Sequence, residues 1–197
     1  MPVAHRPSAM SDLLDYRNLL DAASFATRAH QGQLRKDGRT PYAAHAFRVC
    51  LVVRHIFGFD DPRMLAAALL HDTIEDTTTD LDDIISQFGA EIAEWVACLS
   101  KDKRLPDEQR EREYLRRLAG APWQVQVCKL ADVFDNLMDT RGLTEDRRAH
   151  SLRRAEQYLE ALQTIKVPEA QGPIRLVKEL LREMQIGAPI DKGRREC

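Results

Sequence analysis

Residues 69–76 read LLHDTIED, an apolar helical run that ends in an imidazole and three carboxylates. If one helix continues through them, His71, Asp72, Glu75 and Asp76 fall within a sector of about 140°. Asp72 then stands at i,i+3 from Glu75 and i,i+4 from Asp76, separations at which like charges repel. Carboxylates at a helix C-terminus also face the negative end of the macrodipole, at a cost of roughly 0.3–1 kcal/mol each. A sequence tuned for stability alone would carry Lys or Arg there. A bound cation offsets such repulsion, because it becomes the dominant local charge. The chemistry on offer is that of a divalent ion that acidifies water and neutralises phosphoryl oxygens, with carboxylates nearby as general base or acid. The bland alternative is an exposed acidic helix end.

One helix end supplies too few ligands, so partners are needed from elsewhere. His45 sits in PYAAHAFRV with apolar neighbours, where a histidine by itself is more often a hydrogen-bonded core residue than a ligand. Asp132 lies in VCKLADVFDNL, among Val127, Leu130, Ala131, Phe134 and Leu137. A carboxylate inside such a stripe must be paired or coordinated, because burying it alone costs several kcal/mol. Two imidazoles and two carboxylates, from His45, His71, Asp72 and Asp132, make an oxygen-rich set that suits Mn²⁺ and is compatible with Fe²⁺ or Zn²⁺.

The elements that must position these residues are helical throughout. Ser11 caps a first helix reaching about His30. A glycine-punctuated basic loop follows over 31–41, QGQLRKDGRTP. Its Gly32 and Gly38 leave it room to move on binding. Helices are expected over 42–57, over 62–75 with Asp61 as cap, from about 80 to Gly89, and over 91–99. Further helices are expected over 107–118, 123–138 and 144–166. Gly172-Pro173 is expected to break the chain before a last amphipathic segment ending near Met184. With no period-two runs, repeats or heptads, the fold class is all-α, a compact multi-helix bundle with irregular crossings. A single domain over 11–187 is expected between loose tails over 1–10 and 188–197.

Composition narrows the function further. The 197 residues carry 29 Lys+Arg against 31 Asp+Glu, a net charge of −2, and 6% aromatics. That balance lacks the basic face and stacking platforms of a nucleic-acid binder. The longest apolar stretches, 64–70 and 49–53, are too short to cross a bilayer. Residues 1–11 hold two prolines and no apolar core, so no export signal is read there. Cys50, Cys98, Cys128 and Cys197 are widely spaced and form no CxxC pair, which argues against a disulfide scaffold or a cysteine zinc site. The expected compartment is a reducing cytoplasm, and oligomeric state is left open. Trp95 and Trp123 read as packing residues.

In combination these motifs resemble the HD-domain hydrolases of the RelA/SpoT alarmone family, in size its stand-alone small alarmone hydrolases. The matches run in order from His30-Gln-Gly-Gln-Leu-Arg-Lys-Asp-Gly38 and Pro41-Tyr-Ala-Ala-His45 through His71-Asp-Thr-Ile-Glu-Asp76 to Lys129-Leu-Ala-Asp132 and Asn136. They span about residues 12–166. The resemblance implies an HD-domain fold with Mn²⁺ on His45, His71, Asp72 and Asp132, and Glu75 and Asp76 handling the attacking water and leaving-group protons. It implies removal of pyrophosphate from the 3′ position of (p)ppGpp, with Arg35 and Lys36 holding the purine and Asn136 touching the nucleoside. A guanidinium at Arg35 can stack on a purine, and Lys36 can act as a point charge; the bland alternative is a solvated basic loop. Many family members carry arginine two places after the asparagine, where this chain has Met138, and Arg141 is the nearby substitute candidate. Arg147, Arg148, Arg153 and Arg154 are assigned mainly to the surface, with one of them a candidate for the 5′-phosphates. No synthetase segment follows the match, so hydrolysis without synthesis is expected. Rival readings are an adenosine-alarmone hydrolase, an NADPH or nucleotide phosphatase, and a non-catalytic nucleotide sensor.

Overall fold

The structure, a computed structural model, describes residues 10–163 and 167–186. The expected tails fall outside these residues, apart from Met10, which opens the first helix. Among the described residues the chain is all helix and loop, with an isolated antiparallel bridge between Leu34 and Pro41 instead of a sheet. None of the described helices is long and apolar enough to cross a membrane.

The centre of the bundle is α3 (Pro62–Leu70), on which α1 (Met10–Ala29) and α2 (Ala43–Leu51) pack. Asp61 caps α3 by accepting from the Arg63 N–H, and Pro62 supplies a preset φ at the first helical position. Every residue from Met64 to Leu70 is buried, as befits a helix that is apolar all round. A π-helical turn, Val52–Ile56, follows α2 where a continuous helix is expected. The Phe57 N–H bonds to the Val52 carbonyl, and the widened turn brings Phe57 against Phe134 and Phe59 against Trp123.

Beyond α3 come the one-turn α4 (Thr73–Asp76), α5 (Leu81–Phe88) and α6 (Ala90–Leu99). Asp80 and Asp83 form a reciprocal capping box at the start of α5. Gly89, at φ 83°, makes the left-handed turn into α6. Next are α7 (Asp107–Ala119), α8 (Trp123–Met138), a 3₁₀ turn at Asp139–Gly142, and α9 (Glu145–Leu162). Helix α8 is the second buried axis, packed on α2, α3, α6, α9 and α10. Described helix ends at Leu162; residues 164–166, expected to be helical, are not described.

The last helix corrects the sequence expectation. Gly172-Pro173 breaks nothing: α10 (Pro168–Ile186) runs straight through it. Pro173 forfeits one backbone bond near the exposed start of the helix, an interior cost of about 3 kcal/mol. Ala170, Pro173, Ile174 and Val177 are all buried on the same stripe, which packs against α8 and α9. At about 1.5–3 kcal/mol for each large apolar side chain, that burial outweighs the lost bond.

Candidate active site

The HD dipeptide stands at a break in the helix, which corrects the picture of one continuous acidic face. Helix α3 ends at Leu70, and Asp72 adopts φ −102°, ψ −3° before α4 restarts at Thr73. Side chains satisfy the last carbonyls of α3: Thr73 Oγ1 donates to Leu70 O at 2.7 Å, and His71 Nδ1 to Ala68 O at 2.8 Å. Because a carbonyl only accepts, Nδ1 carries the proton, and His71 Nε2 is the nitrogen left to face the site. Asp72 makes no capping bond to α4, so its carboxylate is free to turn inward.

Three elements then meet. His45 from α2 brings Nε2 to 3.2 Å from Asp132 Oδ1 and 3.6 Å from Asp72 Oδ2. His71 Nε2 lies 2.9 Å from Asp72 Oδ2 and 3.8 Å from Asp132 Oδ1. Ligand atoms of His45, His71 and Asp72 all fall within 4.8 Å of one another and could hold a metal ion. His71 Nε2 is buried and has no aligned hydrogen-bond partner, an orphaned lone pair of the kind a cation satisfies. The donor set therefore fits a divalent metal.

The electrostatics are those of a tightly neutralised cluster. Burial opposes charge on His45, but the hydrogen bonds it donates to Asp132, Asp135 and Asp72 override it and hold the imidazole up to about 10. Burial also opposes charge on Asp132, which Lys129 and the two imidazoles keep ionised, well below the usual carboxylate range. Lys129 donates to Asp132 Oδ2 at 2.7 Å and stands 4.3 Å from the centre of the Tyr158 ring. Tyr42 donates to Asp72 Oδ2 at 2.6 Å, and its burial beside that carboxylate pushes its own pKa far up. Ionised carboxylates facing two imidazoles are a set that exchanges protons for a cation.

Glu75 and Asp76 sit beside this cluster on α4. Glu75 Oε2 accepts from the Lys101 N–H at 2.9 Å, while burial raises its pKa against that bond. Asp76 Oδ1 accepts from Lys103 Nζ at 2.7 Å, and its backbone carbonyl from Gln33 Nε2 at 2.7 Å. Both carboxylates border a cavity of about 330 Å³, which also exposes His45, Asp72 and Asp132. That volume lies in the range of small-molecule sites.

The remaining expected residues divide. Arg35 is not a solvated loop residue: it is 8% exposed, donates to Asp139 and Asn136, and lies over the Tyr42 ring. Lys36 and Asn136 line the cavity, whereas Arg39 is exposed. Gly38 serves the turn that closes the loop, at φ 69°, with Asp37 accepting from the Arg39 and Thr40 N–H groups. Arg141 lies in the 3₁₀ turn, and its side chain is outside what the structure describes. Asp139, next to Met138, instead takes its cations from Arg35 and Arg48. Of the four arginines on α9, Arg154 turns to the cavity and pairs with Glu111, Arg148 donates to Met184 O, and Arg147 and Arg153 are exposed.

Several residues at the site escaped the sequence reading. Tyr42, Lys101, Lys129 and Tyr158 all line the cavity, and Asp135 holds His45 Nδ1 at 2.6 Å. Asp132 and Asp135 on α8 and Asp139 just beyond its end recur at three and four residues, a spacing that marks one acidic face. Lys101 and Tyr158 carry no comparable signal, since each comes from a different helix end or surface.

Helix arrangement and site together are those of an HD domain, and residues 22–160 match the family model described as HD domain. The chain is 38% identical over 168 residues to the human guanosine-3′,5′-bis(diphosphate) 3′-pyrophosphohydrolase MESH1, covering 84% of this chain and 92% of that one. The Danio rerio protein of the same name is 34% identical over 168 residues, covering 84% and 91%. A solved structure described as a metazoan ortholog of SpoT that hydrolyses ppGpp superposes with a TM-score of 0.77 at 27% identity, over 91% of this chain and 98% of that one. The chain belongs to the HD-domain family, and within it to the small alarmone hydrolases of the MESH1/SpoT type.

Proposed function

We propose that this chain is a divalent-metal-dependent hydrolase that removes pyrophosphate from the 3′ position of (p)ppGpp, leaving GDP or GTP. The observation that carries the proposal is the meeting of His45, Asp72 and Asp132 with Glu75 and Asp76 at the wall of one cavity, with His71 Nε2 behind them against Asp72. The similarity to proteins named for that reaction, over most of both chains, supports the substrate class.

His45 Nε2, His71 Nε2, Asp72 and Asp132 would hold the metal, Mn²⁺ in this reading, with Fe²⁺ or Zn²⁺ compatible with the same donors. When bound, it supplies Lewis acidity toward phosphoryl oxygens and acidifies water. In the overall reaction the water oxygen bonds to the phosphorus carried on O3′, the P–O3′ bond breaks, and O3′ leaves with a proton. Glu75 is the group suited to take the proton from water, because burial makes its carboxylate more basic than an ordinary glutamate. Asp76, held by Lys103 and Gln33 at the same wall, is placed to return a proton toward O3′. Lys36, Lys101 and Arg154 border the cavity and offset the charge of the nucleotide phosphates. The planar face of Arg35, fixed by Asp139 and Asn136, is the platform for a purine.

The test is an assay of the purified chain with Mn²⁺ against ppGpp, ppApp and NADPH. Pyrophosphate and GDP from ppGpp are the expected products. Negligible pyrophosphate release from ppGpp beside turnover of ppApp or NADPH would overturn the guanine assignment and select a rival.

A further inference from the structure

Helix α8 carries a second buried carboxylate that the reaction above does not use. Asp135 is 4% exposed, and its Oδ2 accepts from His45 Nδ1 at 2.6 Å. Arg48, one turn after His45 on α2, grips both oxygens of Asp135, through Nε at 2.7 Å and Nη2 at 2.9 Å. The same Nη2 donates to Asp139 Oδ1 at 2.7 Å. Asp139 Oδ2 accepts from Arg35 at 3.1 Å and 2.7 Å. Arg35 Nη2 donates to Asn136 Oδ1 at 3.0 Å, and Asn136 Nδ2 to Asp132 Oδ1 at 2.5 Å. Asp132 Oδ1 lies 3.2 Å from His45 Nε2, so the contacts close into a ring.

We propose that Asp135 is a positioning residue for His45, and that the Asp135–Arg48–Asp139 relay ties the seating of the metal-holding imidazole to the seating of Arg35. The inference rests on the proposed function only in taking the His/Asp cluster as a metal centre. A carboxylate only accepts, so Asp135 keeps a proton of His45 on Nδ1, and Nε2, which faces Asp72 and Asp132, is the nitrogen that would give up its proton to a bound cation. Such outer carboxylates orient a ligating imidazole and raise its basicity. Without Asp135 the ring has no charged partner on its far side, and either nitrogen can carry the proton.

Stability by itself is a poor explanation of the arrangement. Buried ion pairs are often no more stabilising than apolar residues of the same volume. Here the Arg48 side chain is 38% exposed, so the clamp is not forced by burial of the arginine. Its geometry serves the carboxylates: two donors fix the plane of Asp135, and the second nitrogen is shared with Asp139. Asp139 in turn holds Arg35, the one cation of the 31–41 loop that is buried against the pocket wall.

The test measures Mn²⁺ affinity of the full chain from the EPR signal of free Mn²⁺, for wild type, Asp135→Asn, Arg48→Met and Arg48→Lys, with thermal melting of each. Asp135→Asn is expected to bind Mn²⁺ about 10–100-fold more weakly. Arg48→Met, which is expected to fold because its side chain is partly exposed, should weaken Mn²⁺ binding by a smaller factor. It should also raise KM for ppGpp more than it lowers kcat, and Arg48→Lys should restore part of both. A folded Arg48→Met protein with wild-type Mn²⁺ affinity and KM overturns the relay, even if its melting temperature falls. Wild-type Mn²⁺ affinity in folded Asp135→Asn overturns the positioning role. Ordered loss of Mn²⁺ affinity in a protein that hydrolyses no alarmone would uphold this inference and overturn the proposed reaction.

Discussion

The two ends of the pocket are held by different means. At the metal end, His45, His71 and Asp132 are 1%, 3% and 6% exposed and project from α2, the end of α3 and α8, all built into the core. At the other end, Glu75 and Asp76 sit on a helix of one turn and take their partners from outside the core helices: the partly buried Lys101 N–H and Gln33 amide, and the exposed Lys103 Nζ. Close-packed helices move only as units, whereas single polar contacts to loops are remade at lower cost. The proposed ligand geometry is therefore set by helix packing, while Glu75 and Asp76, the proposed proton carriers, are held by contacts outside the core helices.

That contrast is broken or sharpened by substitutions at each end. The largest effect is expected at Asp132. Asp132→Ala removes a proposed ligand and strands the buried Lys129 ammonium, so it should cost about 3–5 kcal/mol in urea unfolding and abolish stoichiometric Mn²⁺ binding. Glu75→Gln should lower kcat by about 10²–10⁴-fold and leave Mn²⁺ affinity and stability near wild type. If it weakened Mn²⁺ binding as Asp132→Ala does, the two ends would be one unit and the contrast would fail.

Glu75 also predicts a pH profile. Burial raises its pKa above the ordinary 4.5, so its basic form is lost as pH falls through that raised value. The acid limb of kcat/KM should lie above pH 4.5 in the wild type and vanish in Glu75→Gln. The smallest effect is expected at Lys103, which is 54% exposed on its side chain and pairs with a partly exposed Asp76. An ion pair of that kind is worth about 0–1 kcal/mol, so Lys103→Ala should change kcat by less than about fivefold.

Legibility in the sequence followed the same division. His45, His71, Asp72 and Asp132 stood out because each is a polar group in an apolar helical context, and burial demands a partner for such groups. The break at His71-Asp72 was hidden, since Thr73 and His71 satisfy the α3 carbonyls through side chains and no glycine or proline announces the turn. Gly172-Pro173 misled for the opposite reason: a local breaker signal lost to packing of one buried stripe. Lys101, Arg154 and Tyr158 reach the cavity from α6's end and from α9, and nothing in local spacing relates them to α4 or α8. Asp135 and Asp139 went unread although their spacing from Asp132 was a signal, and their partners Arg48 and Arg35 come from elements far away in the chain.

The central claim, that the core-built end of the pocket is a metal site distinct from the Glu75/Asp76 end, is tested most directly by anomalous diffraction at the manganese edge from crystals grown with Mn²⁺. One peak bonded to His45 Nε2, His71 Nε2, Asp72 and Asp132 is the predicted result. A peak coordinated by Glu75 and Asp76, or none between the two imidazoles, would contradict it.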